Sequence, residues 1–281
     1  MAEKVLSKIA QIERSITKKY RKTIWKNFIA AVKEYELIKA GDKIAVCISG
    51  GKDSMLLAKC MQQLCRYSET PFEVKFIVMD PGYKPENRAL IEENAKTMGI
   101  DVIFFQSNIF DVVTDAGGSP CYLCARMRRG CLYGKAKELG CNKIALGHHF
   151  DDVIETLLMS MLYSSEIKTM LPKLHSTNFE GMELIRPLYK VKERHIISWA
   201  ESNDLHFLRC ACRFTEESQF NEDLSKRKEM KALIKDLRLK NPDADDNIFR
   251  SLHNVNMATI PGFRDSDSGR LHSFLENYDN K

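Results

Sequence analysis

Residues 43–54 read Lys-Ile-Ala-Val-Cys-Ile-Ser-Gly-Gly-Lys-Asp-Ser, a short apolar run that leads directly into a glycine turn. Residues 44–48 are all apolar, which is typical of a strand buried on both faces of a parallel sheet. Gly50 and Gly51 follow at once, and an apolar pattern of helical period occupies residues 54–64. The segment therefore predicts a central strand and a helix, joined by a turn that places both glycines at the helix N-terminus.

The alternation of strand and helix patterns continues toward the C-terminus. Short apolar runs typical of strands occupy residues 73–79, 102–105, 143–146 and 184–188. Helical patterns between and after them occupy residues 86–98, 122–139, 152–162 and 191–202. Strands separated by helices are typical of right-handed crossovers and of a parallel sheet covered on both faces. We therefore predict an α/β fold with a doubly wound, mostly parallel sheet.

Helical segments flank the predicted sheet on both sides. In residues 5–28, apolar side chains recur every three or four positions and predict one long amphipathic helix that also carries many Lys and Arg. Charged helices are predicted at residues 222–240 and 246–257, and a polar tail that we expect to be mobile begins at Arg264. The predicted divisions are a basic helical segment at residues 1–41, the sheet domain at 42–212, and a C-terminal helical extension with its tail at 213–281.

The composition is that of a folded protein with little net charge. The chain has 281 residues, 44% of them hydrophobic, and a formal net charge of +5. The sequence contains neither an apolar run of about 20 residues, which a membrane-spanning helix needs, nor the apolar segment of a signal peptide. We therefore expect a cytoplasmic protein with no membrane partner.

The glycine turn has the properties of a phosphate-binding loop. Main-chain N–H groups at a helix N-terminus have no partner within the helix, and the helix dipole adds partial positive charge. Gly50 and Gly51 let the main chain approach an anion closely. Hydroxyl, ammonium and carboxylate groups complete the loop at Ser49, Ser54, Lys52 and Asp53. The loop is not a Walker A motif, because Val46 replaces its first glycine and Asp follows the lysine.

Nine cysteines in a chain of this size indicate reduced thiols or metal ligands rather than a disulfide framework. Cys121 and Cys124 form a Cys-x-x-Cys pair at the start of a predicted helix, and Cys210 and Cys212 follow the last predicted strand. Three of these thiolates would suit a 4Fe-4S cluster with one open iron, whereas all four would suit structural zinc. The other cysteines, Cys47, Cys60, Cys65, Cys131 and Cys141, are predicted to be small hydrophobic residues.

Several motifs together resemble a known family. Ser49-Gly-Gly-Lys-Asp-Ser54 resembles the PP-loop of the N-type ATP pyrophosphatases. Together with three further motifs, this loop makes the chain similar to the tRNA 2-thiocytidine synthetases over about residues 20–260. These motifs are the Cys121/Cys124 pair with the following Arg126, Arg128 and Arg129, the run Gly147-His-His-Phe-Asp-Asp152, and the run Ile185-Arg-Pro-Leu188. The resemblance implies the adenine nucleotide alpha hydrolase-like fold, with residues 42–212 as the PP-loop ATP pyrophosphatase domain.

The resemblance also implies a reaction and its participants. ATP, with Mg²⁺, would adenylate the cytidine at position 32 of tRNA, and sulfur would then replace the 2-oxygen with the help of a 4Fe-4S cluster. Cys121, Cys124 and Cys210 would hold the cluster, with Cys212 as the alternative third ligand, and Lys52, Asp53 and Cys210 would be catalytic. ATP would be bound by the loop residues Ser49, Gly50, Gly51, Lys52, Asp53 and Ser54, and by Met79, Asp80, Gly147, His148, Asp151 and Asp152.

The expected partners are tRNA, guided by the basic N-terminal helix and by Arg126, Arg128 and Arg129, a sulfur donor such as a cysteine desulfurase, and a second copy of the chain in a homodimer. One departure from the family is Cys210-Ala-Cys212, where the family commonly shows a second Cys-x-x-Cys. Two alternatives remain. The chain could be a tRNA 2-thiouridine synthetase of the same superfamily, although the extra zinc-binding cysteine pairs of those enzymes are missing from the sequence, or a non-catalytic nucleotide- or RNA-binding protein with structural zinc.

Overall fold

The computed structural model describes residues 6–107, 120–208, 222–265 and 268–280, and it describes only the backbone at 120–126, 222–225, 277, 279 and 280. The chain forms two compact units, Met1–Lys231 and Ala232–Lys281. The first unit contains the sheet and all of the predicted site residues. Within the described ranges, no helix combines the length and the apolar character needed to cross a membrane.

The first unit is built on a six-stranded sheet. Its strands are β1 (Lys43–Ile48), β2 (Glu73–Asp80), β3 (Val102–Gln106), β4 (Lys143–Ala145), β5 (Lys173–His175) and β6 (Glu183–Ile185). They lie in the order β3-β2-β1-β4-β6-β5, and all neighbours are parallel except β5 and β6. The predicted doubly wound, mostly parallel sheet is therefore confirmed, and the segment at residues 43–54 supplies its central strand.

Helices cover both faces of this sheet. They are α3 (Lys52–Tyr67), α4 (Pro85–Met98), α5 (Pro120–Glu138), α6 (Phe150–Ser164) and α7 (Glu193–Ser202), numbered after the two N-terminal helices described below. Alternate residues of β1 enter different hydrophobic clusters, with Val46 on the face that carries α3 and α7 and Cys47 on the face that carries α5. Burial on both faces explains why β1 is an unbroken apolar run.

The N-terminal segment is helical but not one regular α-helix. It consists of α1 (Lys8–Arg14), two π-helical stretches (Ser15–Lys19 and Arg21–Trp25) and α2 (Lys26–Glu34). Its buried side chains lie at every fourth position: Ile12, Ile16, Tyr20, Ile24 and Phe28. On a regular α-helix each such step would rotate the row by about 40°. The wider π turns correct this drift and keep the row on one face, whereas Ile9 is 37% exposed.

Three strands were not predicted from the sequence. Strand β5 has no clear sequence pattern, because only three residues pair there and two of them are exposed. In the second unit, β7 (Gly262–Arg264) and β8 (Leu271–Ser273) form an antiparallel hairpin within the tail that was predicted to be mobile. Helix α8 (Glu222–Lys240) has the predicted bounds, and α9 (Ala244–Ser251) is shorter than predicted.

Candidate active site

The glycine turn joins β1 to α3 as the sequence predicted, and its conformation requires glycine. Gly50 has a φ of +84°, and a Cβ built there would lie 2.7–2.9 Å from side-chain atoms of Ile91 and Leu208. The Ser54 hydroxyl accepts a hydrogen bond from the Ser49 N–H (3.1 Å) and donates one to the Gly51 carbonyl (2.9 Å). Among the described residues no side chain caps α3. Its first N–H groups are therefore available to an anion.

A second segment packs directly against this loop. Gly147 follows β4, and a Cβ at this position would lie 3.0 Å from the Ser54 nitrogen and 3.1 Å from the Asp53 carbonyl carbon. Both atoms belong to the main chain of the loop, so they cannot move aside as a flexible side chain would. Gly147 therefore allows the end of β4 to lie against the phosphate loop.

We expect Gly147→Ala to lower ATP affinity by roughly tenfold or more, because the added methyl group displaces the loop backbone from its anion-binding geometry. Isothermal titration with a non-hydrolysable ATP analogue measures the effect. Gly134→Ala is the matched control, since a Cβ at Gly134 meets nothing within 4 Å. Equal affinities for the two variants would show that the close approach does not matter.

The residues after Gly147 form the start of α6. His149 caps this helix in a capping box, in which its N–H donates to Asp152 Oδ2 (2.9 Å) and its Nδ1 accepts from the Asp152 N–H (3.4 Å). This geometry leaves the proton on Nε2, which lies 3.7 Å from Asp53 Oδ1. His149 thus connects the carboxylates of the loop and of α6. Asp151 instead accepts from the Glu193 N–H (2.7 Å), which positions the start of α7.

A cavity of about 340 Å³ opens beside the loop. Seven of the predicted nucleotide-binding residues line it: Ser49, Asp53, Ser54, Met79, Gly147, His148 and Asp152. Five further lining residues were not predicted as part of the site, namely Cys47, Ile48, Tyr83, Leu132 and Leu146. The carboxylate of Asp80 accepts hydrogen bonds from the N–H groups of Gly82 and Tyr83 and pairs with Arg88, so it holds the turn after β2.

Lys52 lies between two carboxylates. Its Nζ is 2.9 Å from Glu193 Oε1 and 3.1 Å from Asp53 Oδ2. Burial alone would lower the pKa of Lys52, but these carboxylates outweigh burial and raise it. The pKa of Glu193 falls to about 2, because Lys52 outweighs the opposing effect of burial. The Lys52 ammonium is therefore charged and held at the mouth of the loop.

Lys52 and its neighbours belong to a closed circuit of ion pairs and His149 contacts that we call the charge ring. Its consecutive members are Lys52, Asp53, His149, Asp152, Arg227, Glu155, Lys231 and Glu193, and each contact is 2.9–3.8 Å long. Burial raises the pKa of Glu155 to about 7, although Lys231 opposes the shift. Arg227 and Lys231 were not predicted as part of the site, although their spacing of four residues on a charged helix was an available signal.

We expect Glu193→Gln to destabilise the fold at neutral pH. A lowered carboxyl pKa contributes stability that is present above 4.5 and is lost as the pH falls toward 2. The difference in unfolding free energy between the variant and the unmodified protein should therefore shrink as the pH is lowered through that window. Urea denaturation across the pH range measures it, with the exposed Glu201→Gln on the same helix as control. A pH-independent difference would contradict the ion-pair explanation.

The carboxylates of the cavity fit a magnesium ion. Asp53 Oδ1 is buried and has no hydrogen-bond partner among the described residues. Burial raises the pKa of Asp53, whereas His149 and Lys52 oppose the shift. Within the described ranges no three His, Cys, Asp or Glu side chains converge on a metal position. Mg²⁺ commonly takes only one or two protein carboxylates together with substrate phosphates and water, so Asp53 and Asp152 suffice.

His148 supplies a neutral imidazole to the same cavity. Burial lowers its pKa to about 4, and its Nδ1 is buried without a hydrogen-bond partner in the described part of the chain. It can therefore exchange a hydrogen bond with a bound base or phosphate without bringing charge.

The predicted sulfur ligands are only partly described. Cys121 and Cys124 lie in the first turn of α5, and Cys210 and Cys212 lie outside the described residues. Arg128 and Leu132 of α5 line the cavity. Cys124 and Cys121 precede Arg128 by four and seven residues, which are spacings that share one helix face. The remaining cysteines behave as predicted, since Cys47, Cys60 and Cys141 are buried and Cys65 and Cys131 are half-buried.

Comparisons with known proteins agree with this site. A family model described as a PP-loop domain matches residues 14–213. The tRNA-cytidine(32) 2-sulfurtransferase of Geobacter metallireducens is 36% identical over 242 residues, covering 85% of this chain and 91% of the relative. The tRNA-cytidine(32) 2-sulfurtransferase 2 of Francisella tularensis subsp. tularensis is 36% identical over 80% of this chain and 88% of its own.

A solved structure confirms the fold. The U34-tRNA thiolase NcsA from Methanococcus maripaludis, determined with its [4Fe-4S] cluster, matches 82% of this chain and 77% of its own with a TM-score of 0.64 and 21% sequence identity. The resemblance inferred from the PP-loop, the Cys-x-x-Cys pair and the Gly-His-His-x-Asp-Asp motif is thereby confirmed. The chain belongs to the PP-loop family and, within it, to the tRNA-cytidine(32) 2-sulfurtransferase family.

Proposed function

We propose that this protein is an ATP-dependent tRNA sulfurtransferase that adenylates cytidine 32 and replaces its 2-oxygen with sulfur. One observation carries the proposal: an anion-binding loop shares one cavity with Asp53, His148 and Asp152, in a chain that belongs to the tRNA-cytidine(32) 2-sulfurtransferase family. An anion-binding loop beside acidic metal ligands is what ATP cleavage requires, and the family indicates the acceptor base.

In this proposal the phosphates of ATP lie on the main-chain N–H groups of residues 49–54. Lys52 leaves its partner carboxylates to contact a phosphate oxygen, and Asp53 and Asp152 hold Mg²⁺ against the phosphates. Met79, at the end of β2, contacts the adenosine. Gly147, His148 and Asp151 complete the nucleotide site from the other side, where Asp151 acts by fixing the start of α7.

Adenylation turns a poor leaving group into a good one. The cytidine 2-oxygen attacks the α-phosphorus of ATP, and the bond to the β-phosphate oxygen breaks with release of pyrophosphate. A sulfur nucleophile then bonds to C2, the C2–O bond breaks, and AMP leaves with the former base oxygen. The charges of Lys52 and of the loop N–H groups stabilise the phosphorus-centred transition state.

Cys121, Cys124 and Cys210 are proposed to hold a 4Fe-4S cluster, with Cys212 as the alternative third ligand. The helical spacing of Cys121 and Cys124 from the cavity residue Arg128 supports a position at the nucleotide site. When bound, such a cluster supplies an iron without a protein ligand, which can hold the transferable sulfur. The solved thiolase that carries a [4Fe-4S] cluster has the same fold.

The remaining participants are proposed from the chemistry. The substrate is tRNA, whose phosphates suit the basic N-terminal segment together with Arg126, Arg128 and Arg129. The sulfur comes from a donor such as a cysteine desulfurase, and the enzyme acts in the cytoplasm as a homodimer.

Nucleoside analysis of bulk tRNA from cells that lack the gene tests the proposal. We expect the 2-thiocytidine peak to disappear and to return when the gene is restored. Loss of 2-thiouridine instead would establish the thiouridine alternative. Protein purified without oxygen should contain iron, and zinc in place of iron, without AMP formation in the presence of tRNA, would indicate the non-catalytic alternative.

A further inference from the structure

A second cavity of about 710 Å³ lies on the other side of α5 from the nucleotide site. Tyr133 and Phe179 form part of its wall, with ring centroids 5.1 Å apart and planes inclined by 13°. Tyr133 is buried beneath, whereas Phe179 is only half-buried. The exposed part of the Phe179 ring therefore offers an aromatic surface inside the cavity.

Two arginines converge on this cavity. Arg186 follows β6 and Arg129 lies on α5, and both line the cavity wall. Burial, together with the neighbouring charge of Arg129, lowers the pKa of Arg186 to about 10. Arg186 donates through Nη1 to the Leu171 carbonyl, but its Nε is buried without a hydrogen-bond partner among the described residues.

A partly desolvated guanidinium next to a second positive charge is unfavourable in the absence of an anion. The Asp152 carboxylate of the nucleotide site also acts on the Arg186 charge and opposes the lowering of its pKa. A phosphate in the cavity would supply acceptors to both guanidinium groups, for which planar arginine forks are well suited.

The second cavity adjoins the nucleotide site. Arg128 lines the first cavity, and the next residue, Arg129, lines the second. Arg186 also lowers the pKa of His148, which lines the first cavity, so the charge at one cavity acts on the other. A polynucleotide whose target base enters the first cavity would have its adjoining nucleotides within reach of the second.

We propose that this second cavity binds one nucleotide next to the target base of the RNA strand, with its phosphate on Arg129 and Arg186 and its base against Phe179. The inference rests on the proposed function, because it takes RNA as the substrate. A base that enters an active site must leave its stack, and its neighbours then lose stacking partners as well. Aromatic rings and arginines are the groups that recognise such unstacked nucleotides.

The phosphate contact is tested by Arg129→Gln, since Arg129 is exposed and its replacement leaves the core intact. The probe is a fluorescein-labelled anticodon stem–loop RNA, titrated at several salt concentrations. We expect affinity to fall about tenfold and the slope of log Kd against log salt to fall by about 0.7–1. Lys137→Gln, also exposed and two turns further along α5, is the matched control. Arg186→Gln should act like Arg129→Gln, with unchanged affinity for an ATP analogue as proof of folding.

The base contact is tested by a double-mutant cycle. Phe179→Leu should weaken binding of the stem–loop without changing the salt slope. An RNA with an abasic site beside the target cytidine should bind the unmodified enzyme more weakly than the intact RNA does. The Phe179→Leu variant should bind the abasic RNA and the intact RNA with equal affinity. Additive effects of the two changes would overturn the base contact.

Three results would overturn the phosphate contact. The first is an RNA affinity of Arg129→Gln equal to that of the unmodified enzyme. The second is an equal loss of RNA affinity in Lys137→Gln. The third is pyrophosphate that binds the unmodified enzyme, displaces the stem–loop and no longer binds Arg129→Gln. The last result would assign the cavity to a reaction product instead. The readout of this test is RNA binding and not product formation. If the binding results are as expected but the enzyme forms no 2-thiocytidine in tRNA, the proposed function is refuted and this inference is not.

Discussion

Lys52→Ala abolishes adenylation, with an expected fall of roughly a thousandfold in tRNA-dependent AMP formation. The Lys52 ammonium lies at the first residue of α3, where phosphate oxygens approach, and its charge is maintained by two carboxylates. The first turn of α3 contains no other cation that could replace this charge once the side chain is removed. Release of labelled pyrophosphate from ATP, measured with saturating tRNA, checks the prediction.

Glu193→Gln distinguishes two possible roles of Lys52, contact with a phosphate of ATP and the ion pair with Glu193. This variant breaks the ion pair of 2.9 Å but leaves the ammonium beside the loop. If Lys52 acts on the phosphate, Glu193→Gln should retain most of the AMP formation that Lys52→Ala loses. Equal losses in both variants would mean that Lys52 serves only the charge ring, and full turnover in Lys52→Ala would refute the assignment of the loop.

The second large effect is expected at Cys210. Cys210→Ser should lose the broad absorbance near ~400 nm of a 4Fe-4S cluster and form no 2-thiocytidine. Pyrophosphate release should persist, because the groups proposed for adenylation lie on the loop and on α6. Absorbance spectra of anaerobically prepared protein and nucleoside analysis of tRNA treated with it measure the two parts.

Cys212→Ser is the matched control, since it removes a thiol two positions away. We expect this variant to keep both the absorbance and the product. The opposite pattern, with the absorbance lost only in Cys212→Ser, would move the third ligand to Cys212. Retention of the absorbance in both variants would exclude both residues as sole third ligands.

The parts of the fold that follow from a repeating pattern were predictable. β1 is apolar at every position because both of its faces are covered, and the glycine pair marks the turn that follows. Strand β5 was not predictable, since its pairing depends on the register with β6 and two of its residues are exposed. The π-helical turns were signalled only by the strict spacing of four between buried residues.

The candidate site also has one part that was predictable from the sequence and one part that was not. The residues adjacent in sequence to the two glycine motifs, such as Asp53 and His148, were predicted and do line one cavity. Arg227 and Lys231 lie far away in sequence, and a charged helix gives no indication of which carboxylates it will meet. Tyr83 and Leu132 reach the cavity only because the crossovers bring their segments there.

The charge ring also limits the form in which the triphosphate can enter. Its three permanent cations are Lys52, Arg227 and Lys231, and its four carboxylates are Asp53, Asp152, Glu155 and Glu193. With so many acidic groups beside the cations, the circuit has no surplus positive charge to offer a polyanion. We therefore expect a metal-free triphosphate to be repelled and the nucleotide to bind together with a divalent cation.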